Sequence, residues 1–279
     1  MYEFRPYPYD GPALEQRLDE IKKNTGKPDR EMLKKLVSFI DLTSLEGSDT
    51  EQRIIEICRK GQSLQMIDQS FPHVAAVCFY PLFIAPARKA LQDASIEVAS
   101  VAGAFPSGQS PLEVRVKEIE WAVAQGADEI DTVINRGKLL SGKNEEVFEE
   151  LKSFREACGN AKMKVIIESG ELPTVGLIRT ACELAIQAGA DFVKTSTGKI
   201  ATGATPEAFL IMADTVKEYF QGSGRKIGLK AAGGISTPED ALFYHSIAVQ
   251  TAGKEWDSPE LFRIGASRLF DRIMEKLAG

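Results

Sequence analysis

Eight short apolar runs recur along the chain with helical patterns between them, and this alternation limits the fold more than any other feature. The runs are Phe39–Thr43, Val74–Tyr80, Ile96–Val101, Glu129–Asn135, Lys164–Ser169, Phe192–Thr197, Ile227–Ala231 and Phe262–Ala266. Each has the length of a buried strand and is too short for a core helix. Between them, Pro111–Gln125 sets Leu112, Val116, Ile119 and Val123 on one helical face, with Glu113, Lys117 and Glu120 elsewhere. Pro173–Ala188 repeats the pattern with Val175, Ile178, Ala181 and Ala185. Thr205-Pro206-Glu207 and Thr237-Pro238-Glu239 read as helix starts, with proline in the first turn and a carboxylate near the positive end of the dipole. Gln125-Gly126-Ala127-Asp128 and Ala188-Gly189-Ala190-Asp191 are nearly the same turn, closing a helix on glycine before a strand. Eight such units in an α/β chain are the count of a (β/α)8 TIM barrel. An open doubly wound sheet is the alternative, but GxGxxG does not follow the first run.

Residues 1–37 lie outside this pattern. Pro6, Pro8, Gly11 and Pro12 precede a charged helical stretch from Ala13 to Lys23, and a second short helix is expected from Asp29 to Val37. The segment reads as an N-terminal helical extension packed against one end of the main domain. Residues 38–279 remain as the barrel, close to the ~250 residues usual for one. A net charge of −6 argues against binding nucleic acid through charge. No apolar run approaches the ~18 residues of a membrane span. The N-terminus shows no basic, then apolar, leader, so a cytoplasmic protein is expected. Cys58, Cys78, Cys158 and Cys182 are widely separated and read as reduced thiols, with no spacing that would hold a metal. With only His73 and His245 in the chain, acid–base work falls mainly to Lys, Asp, Glu, Tyr or Cys.

In barrels, function gathers at the C-terminal ends of the strands. Strand residues alternate between the interior and the helix layer. With Val193 and Thr195 facing the helices, Lys194 and Ser196 face inward; with Ile130 and Thr132 outward, Asp131 faces inward; with Leu229 outward, Lys230 faces inward. Two lysines on adjacent strands, roughly 4.8 Å apart, each disfavour the other's charge, and burial disfavours both. The result is a neutral amine, which is the form that attacks a carbonyl to give a Schiff base. Asp131 can accept and return protons beside it. A lone mid-strand lysine reads equally well as an edge residue; the pair together with Asp131 does not. Asp41 and Thr43 at the end of the first run, Cys78 in the second and Thr197 in the sixth are read as supporting neighbours.

Three glycine-bearing loops follow consecutive strands: Ser196-Thr197-Gly198-Lys199, Ala232-Gly233-Gly234-Ile235-Ser236 and Ile264-Gly265-Ala266-Ser267. Glycine lets backbone N–H groups approach an anion, and barrels often seat phosphate after strands seven and eight.

From Asp41-Leu42-Thr43 to Gly265-Ala266-Ser267, the chain resembles the 2-deoxyribose-5-phosphate aldolases, class I aldolases built on this barrel. The most specific motifs are Phe192-Val-Lys-Thr-Ser-Thr-Gly-Lys199, Gly228-Leu-Lys-Ala-Ala-Gly-Gly234 and Gly126-Ala-Asp-Glu-Ile-Asp131. Val77-Cys-Phe-Tyr-Pro81, Phe105-Pro-Ser-Gly108 and Ile166-Ile-Glu-Ser-Gly-Glu171 support them. The resemblance implies reversible cleavage of 2-deoxy-D-ribose 5-phosphate to D-glyceraldehyde 3-phosphate and acetaldehyde, in deoxyribonucleotide catabolism. It implies Lys194 as the Schiff-base nucleophile, Lys230 as the lysine that keeps it neutral, and Asp131 as the acid–base group, with no metal and no cofactor. Phosphate contacts are implied at Gly198, Lys199, Gly233, Gly234, Ser236, Gly265 and Ser267. The partners implied are a sugar phosphate and aldehydes, and further copies of the chain in a dimer or tetramer.

The chain departs from these aldolases in four places. Ala231 stands where many have proline, and Ser236 where many have arginine. Arg268 replaces a small residue and is expected to supply the missing cation. The chain ends Leu277-Ala278-Gly279, without the terminal tyrosine that assists proton transfer in some relatives. Two other readings remain: another Schiff-base barrel for longer sugar phosphates, such as a transaldolase, which would carry its lysine on a different strand, and a non-catalytic sugar-phosphate sensor, which would have lost the lysine pair or Asp131.

Overall fold

The computed structural model describes residues 2–67, 71–91 and 95–278; Met1 and Gly279, at the ends of the two expected segments, lie outside them. Eight parallel strands close into one barrel in sequence order: β1 (Ile40–Thr43), β2 (Ala76–Phe79), β3 (Glu97–Ala102), β4 (Glu129–Val133), β5 (Lys162–Ile166), β6 (Phe192–Lys194), β7 (Gly228–Ala232) and β8 (Phe262–Ala266). Eleven helices are described: α1 (Gly11–Asn24), α2 (Arg30–Val37), α3 (Glu51–Ile67), α4 (Ile84–Ala90), α5 (Leu112–Ala124), α6 (Arg136–Leu140), α7 (Asn144–Cys158), α8 (Val175–Gln187), α9 (Pro206–Ser223), α10 (Pro238–Ala252) and α11 (Leu269–Ala278). The alternation of strand and helix therefore forms a closed sheet and not an open one. Among the described residues no helix is long and apolar enough to cross a membrane.

The local chemistry of the helix ends follows the sequence. Thr205 and Thr237 are N-caps whose hydroxyls accept from the N–H groups of Ala208 and Asp240, satisfying donors that the first turn leaves orphaned. The two Gly-Ala-Asp turns are the same device. Gly126 and Gly189 both sit at φ 98°, where a side chain would be strained. That turn delivers Asp128 Oδ2 to the N–H of Val98 at 2.7 Å and Asp191 Oδ2 to the N–H of Met163 at 2.9 Å. Each aspartate so ties the start of one strand to its neighbour.

The main apolar core lies between the barrel and its helices, where Ile130, Val165, Val193, Leu229 and Ile264 meet the helix faces. A second, smaller cluster of Ala76, Cys78, Ala99 and Val101 with Leu45 fills β2 and β3 on the other face of the sheet. Elsewhere the barrel interior carries a buried set of charged side chains, among them Asp41, Glu129, Asp131, Lys164, Lys194, Lys230 and Arg263. The extension packs along the outer helices, with α1 on α9 and α10 and α2 on α10 and α11. Arg17 forks onto Asp214 at 2.6 and 2.8 Å, and Tyr7 donates to the same carboxylate at 2.7 Å. Tyr2 lies so close to Gly222 that a Cβ there would sit 2.3 Å from its ring.

Candidate active site

The register of the last strands assembles the site. It places Lys194 beside Lys230, Lys230 beside Arg263, and Asp131 beside Lys164. Lys194 Nζ donates to Asp131 Oδ2 at 2.6 Å, and Lys230 Nζ to the same oxygen at 2.7 Å. The two amines are thus held within about two hydrogen-bond lengths of each other. Asp131 and Lys230 are fully buried, and Lys194 is 3% exposed.

Their ionisation follows from these contacts. For Lys194, burial is the larger influence and Lys230 adds to it; together they outweigh the attraction of Asp131 and hold the amine below its ordinary value. Burial acts on Lys230 in the same sense, but Asp131 and Asp41 together overcome it and raise this lysine well above the ordinary value. Burial opposes the charge of Asp131 too, yet Lys194 and Lys230 hold it well below the carboxylate range. The site is an ionised carboxylate between one firmly charged lysine and one whose proton is held less tightly than an ordinary lysine's.

Space for Gly265 and Lys230 is arranged together. A Cβ on Gly265 would lie 3.2 Å from Lys230 Cε and 3.0 Å from the Cβ of Ala232, so glycine here gives the lysine its passage across the barrel. Lys194 forms part of the wall of a cavity of about 640 Å³ that opens above it. Gly198, Lys199, Gly233, Gly234, Ser236, Gly265 and Ser267 all line this cavity, as do Thr43, Thr197 and Arg268. The three glycine loops therefore do converge on one space, with Lys194 in its wall. Lys199 is paired with Glu46 at 3.0 Å, so the cation expected of it is engaged, whereas Arg268 is exposed at the rim. Asp131, Lys230, Asp41 and Cys78 do not line the cavity; they lie beneath it. Cys78 is fully buried, and burial pushes its thiol up to about 11.

Four contributing residues escaped the sequence reading. Lys164 donates to Asp41 at 2.9 Å and pairs with Glu129, and Arg263 bridges Asp41 at 2.7 Å and Glu129 at 3.1 Å. Stepping back two residues along the strand from Asp131 leads to Glu129, and the same alternation puts Lys164 and Arg263 inside; that was the signal available. The fourth is Glu168, fully buried, which accepts from the Thr197 N–H at 3.0 Å and from its hydroxyl at 2.6 Å. It shapes the loop after β6. Among the described residues no group of three or more His, Cys, Asp or Glu is placed to hold a metal.

Comparison with known proteins agrees with this geometry. Residues 36–268 match the model of the DeoC/LacD family of aldolases. The chain is similar to human deoxyribose-phosphate aldolase, 42% identical over 95% of this chain and 88% of the human one. It is also similar to the mouse deoxyribose-phosphate aldolase, 43% identical over 88% of this chain and 80% of that one. Among solved structures, a tetrameric deoxyribose phosphate aldolase from Aeropyrum pernix superposes with a TM-score of 0.72 at 25% identity, covering 95% of this chain and 98% of that one.

Proposed function

The chain belongs to the DeoC/LacD family of aldolases, and from that premise we propose that it reversibly cleaves 2-deoxy-D-ribose 5-phosphate through an imine on Lys194. The observation that carries the assignment is the shared Asp131 Oδ2 beneath a cavity into whose wall Lys194 is built. The neutral amine of Lys194 attacks the aldehyde carbon of the open-chain sugar. Proton transfers through Asp131 and Lys230 convert the adduct to an iminium ion with loss of water. The hydroxyl on the third carbon then gives up its proton, the bond between the second and third carbons breaks, and its electron pair flows into the iminium to form an enamine. D-Glyceraldehyde 3-phosphate leaves. Protonation of the enamine and hydrolysis release acetaldehyde and regenerate Lys194. The iminium is the electron sink, so no metal is needed at this step.

Asp131 Oδ1 accepts no hydrogen bond among the described residues, which leaves one oxygen available to take up a proton while Oδ2 holds the lysines. The phosphate is seated by the loops of Gly198, Gly233, Gly234, Ser236, Gly265 and Ser267, with Arg268 at the rim in place of an arginine at 236. The four cysteines are free and buried, which supports a cytoplasmic location, and the tetrameric relative supports a homo-oligomer. The test is a coupled assay for glyceraldehyde 3-phosphate released from 2-deoxyribose 5-phosphate. Wild-type protein releases it and Lys194→Leu does not; equal release by both would overturn the assignment.

A further inference from the structure

Beneath Lys194 the barrel interior holds a closed set of charges. Four cationic side chains, Lys164, Lys194, Lys230 and Arg263, face three carboxylates, Asp41, Glu129 and Asp131, and none of the seven is more than 3% exposed. Asp41 receives Lys230 at 2.6 Å, Lys164 at 2.9 Å and Arg263 at 2.7 Å. Glu129 receives Lys164 and both ends of the Arg263 guanidinium. Asp131 receives Lys194 and Lys230 and lies 3.8 Å from Lys164. Phe192 closes the set from below, its ring 5.4 Å from Lys164 Nζ and 5.8 Å from Arg263 Cζ. At the end of the barrel opposite the cavity, where β3 and β5 begin, Lys162 reaches Glu97 and Glu129, and Glu97 balances its charge. The remaining neighbour of Lys194, Cys78, is a neutral thiol.

With all seven ionised, one positive charge is left over in a water-poor interior, where an unbalanced charge is expensive. Shedding a single proton cancels it. Arginine cannot supply that proton. Lys164 and Lys230 each touch two carboxylates, whereas Lys194 touches one and shares its oxygen. We propose that Arg263 is a positioning residue for the reaction: its permanent charge at the base of the barrel is the surplus that leaves Lys194 as the unprotonated amine. Arg263 acts at a distance, through Asp41 and Glu129, on the lysine that touches substrate. This inference rests on the Schiff-base role proposed for Lys194.

The experiment measures the rate of borohydride-trapped adduct formation at Lys194 with acetaldehyde as a function of pH. The proteins compared are wild type, Arg263→Met, Glu129→Gln and the double variant. Arg263→Met equalises the charges, so the midpoint of the profile moves up by about one unit or more, and trapping at pH 7 slows about tenfold or more. Glu129→Gln moves the midpoint down. The double variant restores an excess of one cation and returns the midpoint toward wild type, although it carries the larger structural insult. An unmoved midpoint in Arg263→Met, or a double variant displaced further than the single one, overturns the inference. Should Arg263→Met fail to fold, Glu129→Gln alone decides, and an unmoved or raised midpoint overturns it. A wild-type adduct at Lys194 with such results removes this inference only; no wild-type adduct at Lys194 removes the proposed function itself.

Discussion

Replacing Lys230 with leucine removes a charge that neither lines the cavity nor attacks substrate; it also removes a group from the proton relay, so its effect on the protonation of Lys194 is read from the part of the loss that changes with pH. In the variant, three cations face three carboxylates, and Lys194 becomes the sole lysine on Asp131 Oδ2, at 2.6 Å. Nothing then favours loss of its proton except burial, which the undivided attraction of Asp131 opposes. If the amine returns to the ordinary value of about 10.4, roughly one molecule in 10³ is neutral at pH 7.5. Turnover is then expected to fall by about 10²–10³-fold. Asp41 keeps Lys164 and Arg263 as partners, so the fold is expected to survive, which circular dichroism and a thermal melt check. The assay is kcat measured at intervals from about pH 6.5 to 10. The deficit should shrink by about tenfold for each unit of rising pH, as the remaining lysine sheds its proton. A loss smaller than about tenfold, or one that does not change with pH, would refute the claim that Lys230 sets the protonation of Lys194.

Two further outcomes follow from buried carboxylates. Asp41, Glu129 and Asp131 are all held below the ordinary range in the fold: burial would raise each, but Lys164, Lys230 and Arg263 outweigh it at Asp41, Lys164 and Arg263 at Glu129, and Lys194 and Lys230 at Asp131. Their contribution is therefore whole above the unfolded values near ~4 and is lost as pH falls below them toward the folded ones, with a slope up to about 4 kcal/mol per unit for the three. Urea midpoints measured from pH 7 to 3 should fall steeply below about pH 4, and a flat series would contradict this. Glu168→Ala frees Thr197, whose two hydrogen bonds to a charged partner are worth about 1.5–3 kcal/mol each. The KM for phosphorylated substrate should rise about tenfold or more while acetaldehyde still traps at Lys194; an unchanged KM would show that this loop does not seat the substrate.

Much of this was legible in the sequence because strand periodicity and closure are strong constraints. Once eight runs are placed around a barrel, inward alternation at Asp131, Lys194 and Lys230 is fixed by the pleat, and the structure brings those three into contact. The boundaries were less legible. Phe192–Thr197 shortens to Phe192–Lys194 because Thr197 turns away to Glu168. The run starting at Lys164 begins instead at Lys162, whose ammonium reaches the exposed edge at Glu97. That shift matters, because a lysine at the start of a strand reads as solvated, whereas Lys164 is fully buried. Glu129 and Arg263 were hidden for the same reason. A charged residue near a strand end carries no mark of burial until its partners, here from β1, β4, β5 and β8, are known. Glu168 was invisible as a site residue because it acts through the loop of another strand.

The claim on which the rest depends is that Lys194 forms the covalent bond. Incubation with acetaldehyde, reduction with borohydride and peptide mass spectrometry test it directly. A single reduced two-carbon adduct on Lys194, absent from Lys194→Leu, is the result predicted. An adduct on Lys230 or Lys164, or undiminished cleavage of 2-deoxyribose 5-phosphate with no adduct at all, would contradict it.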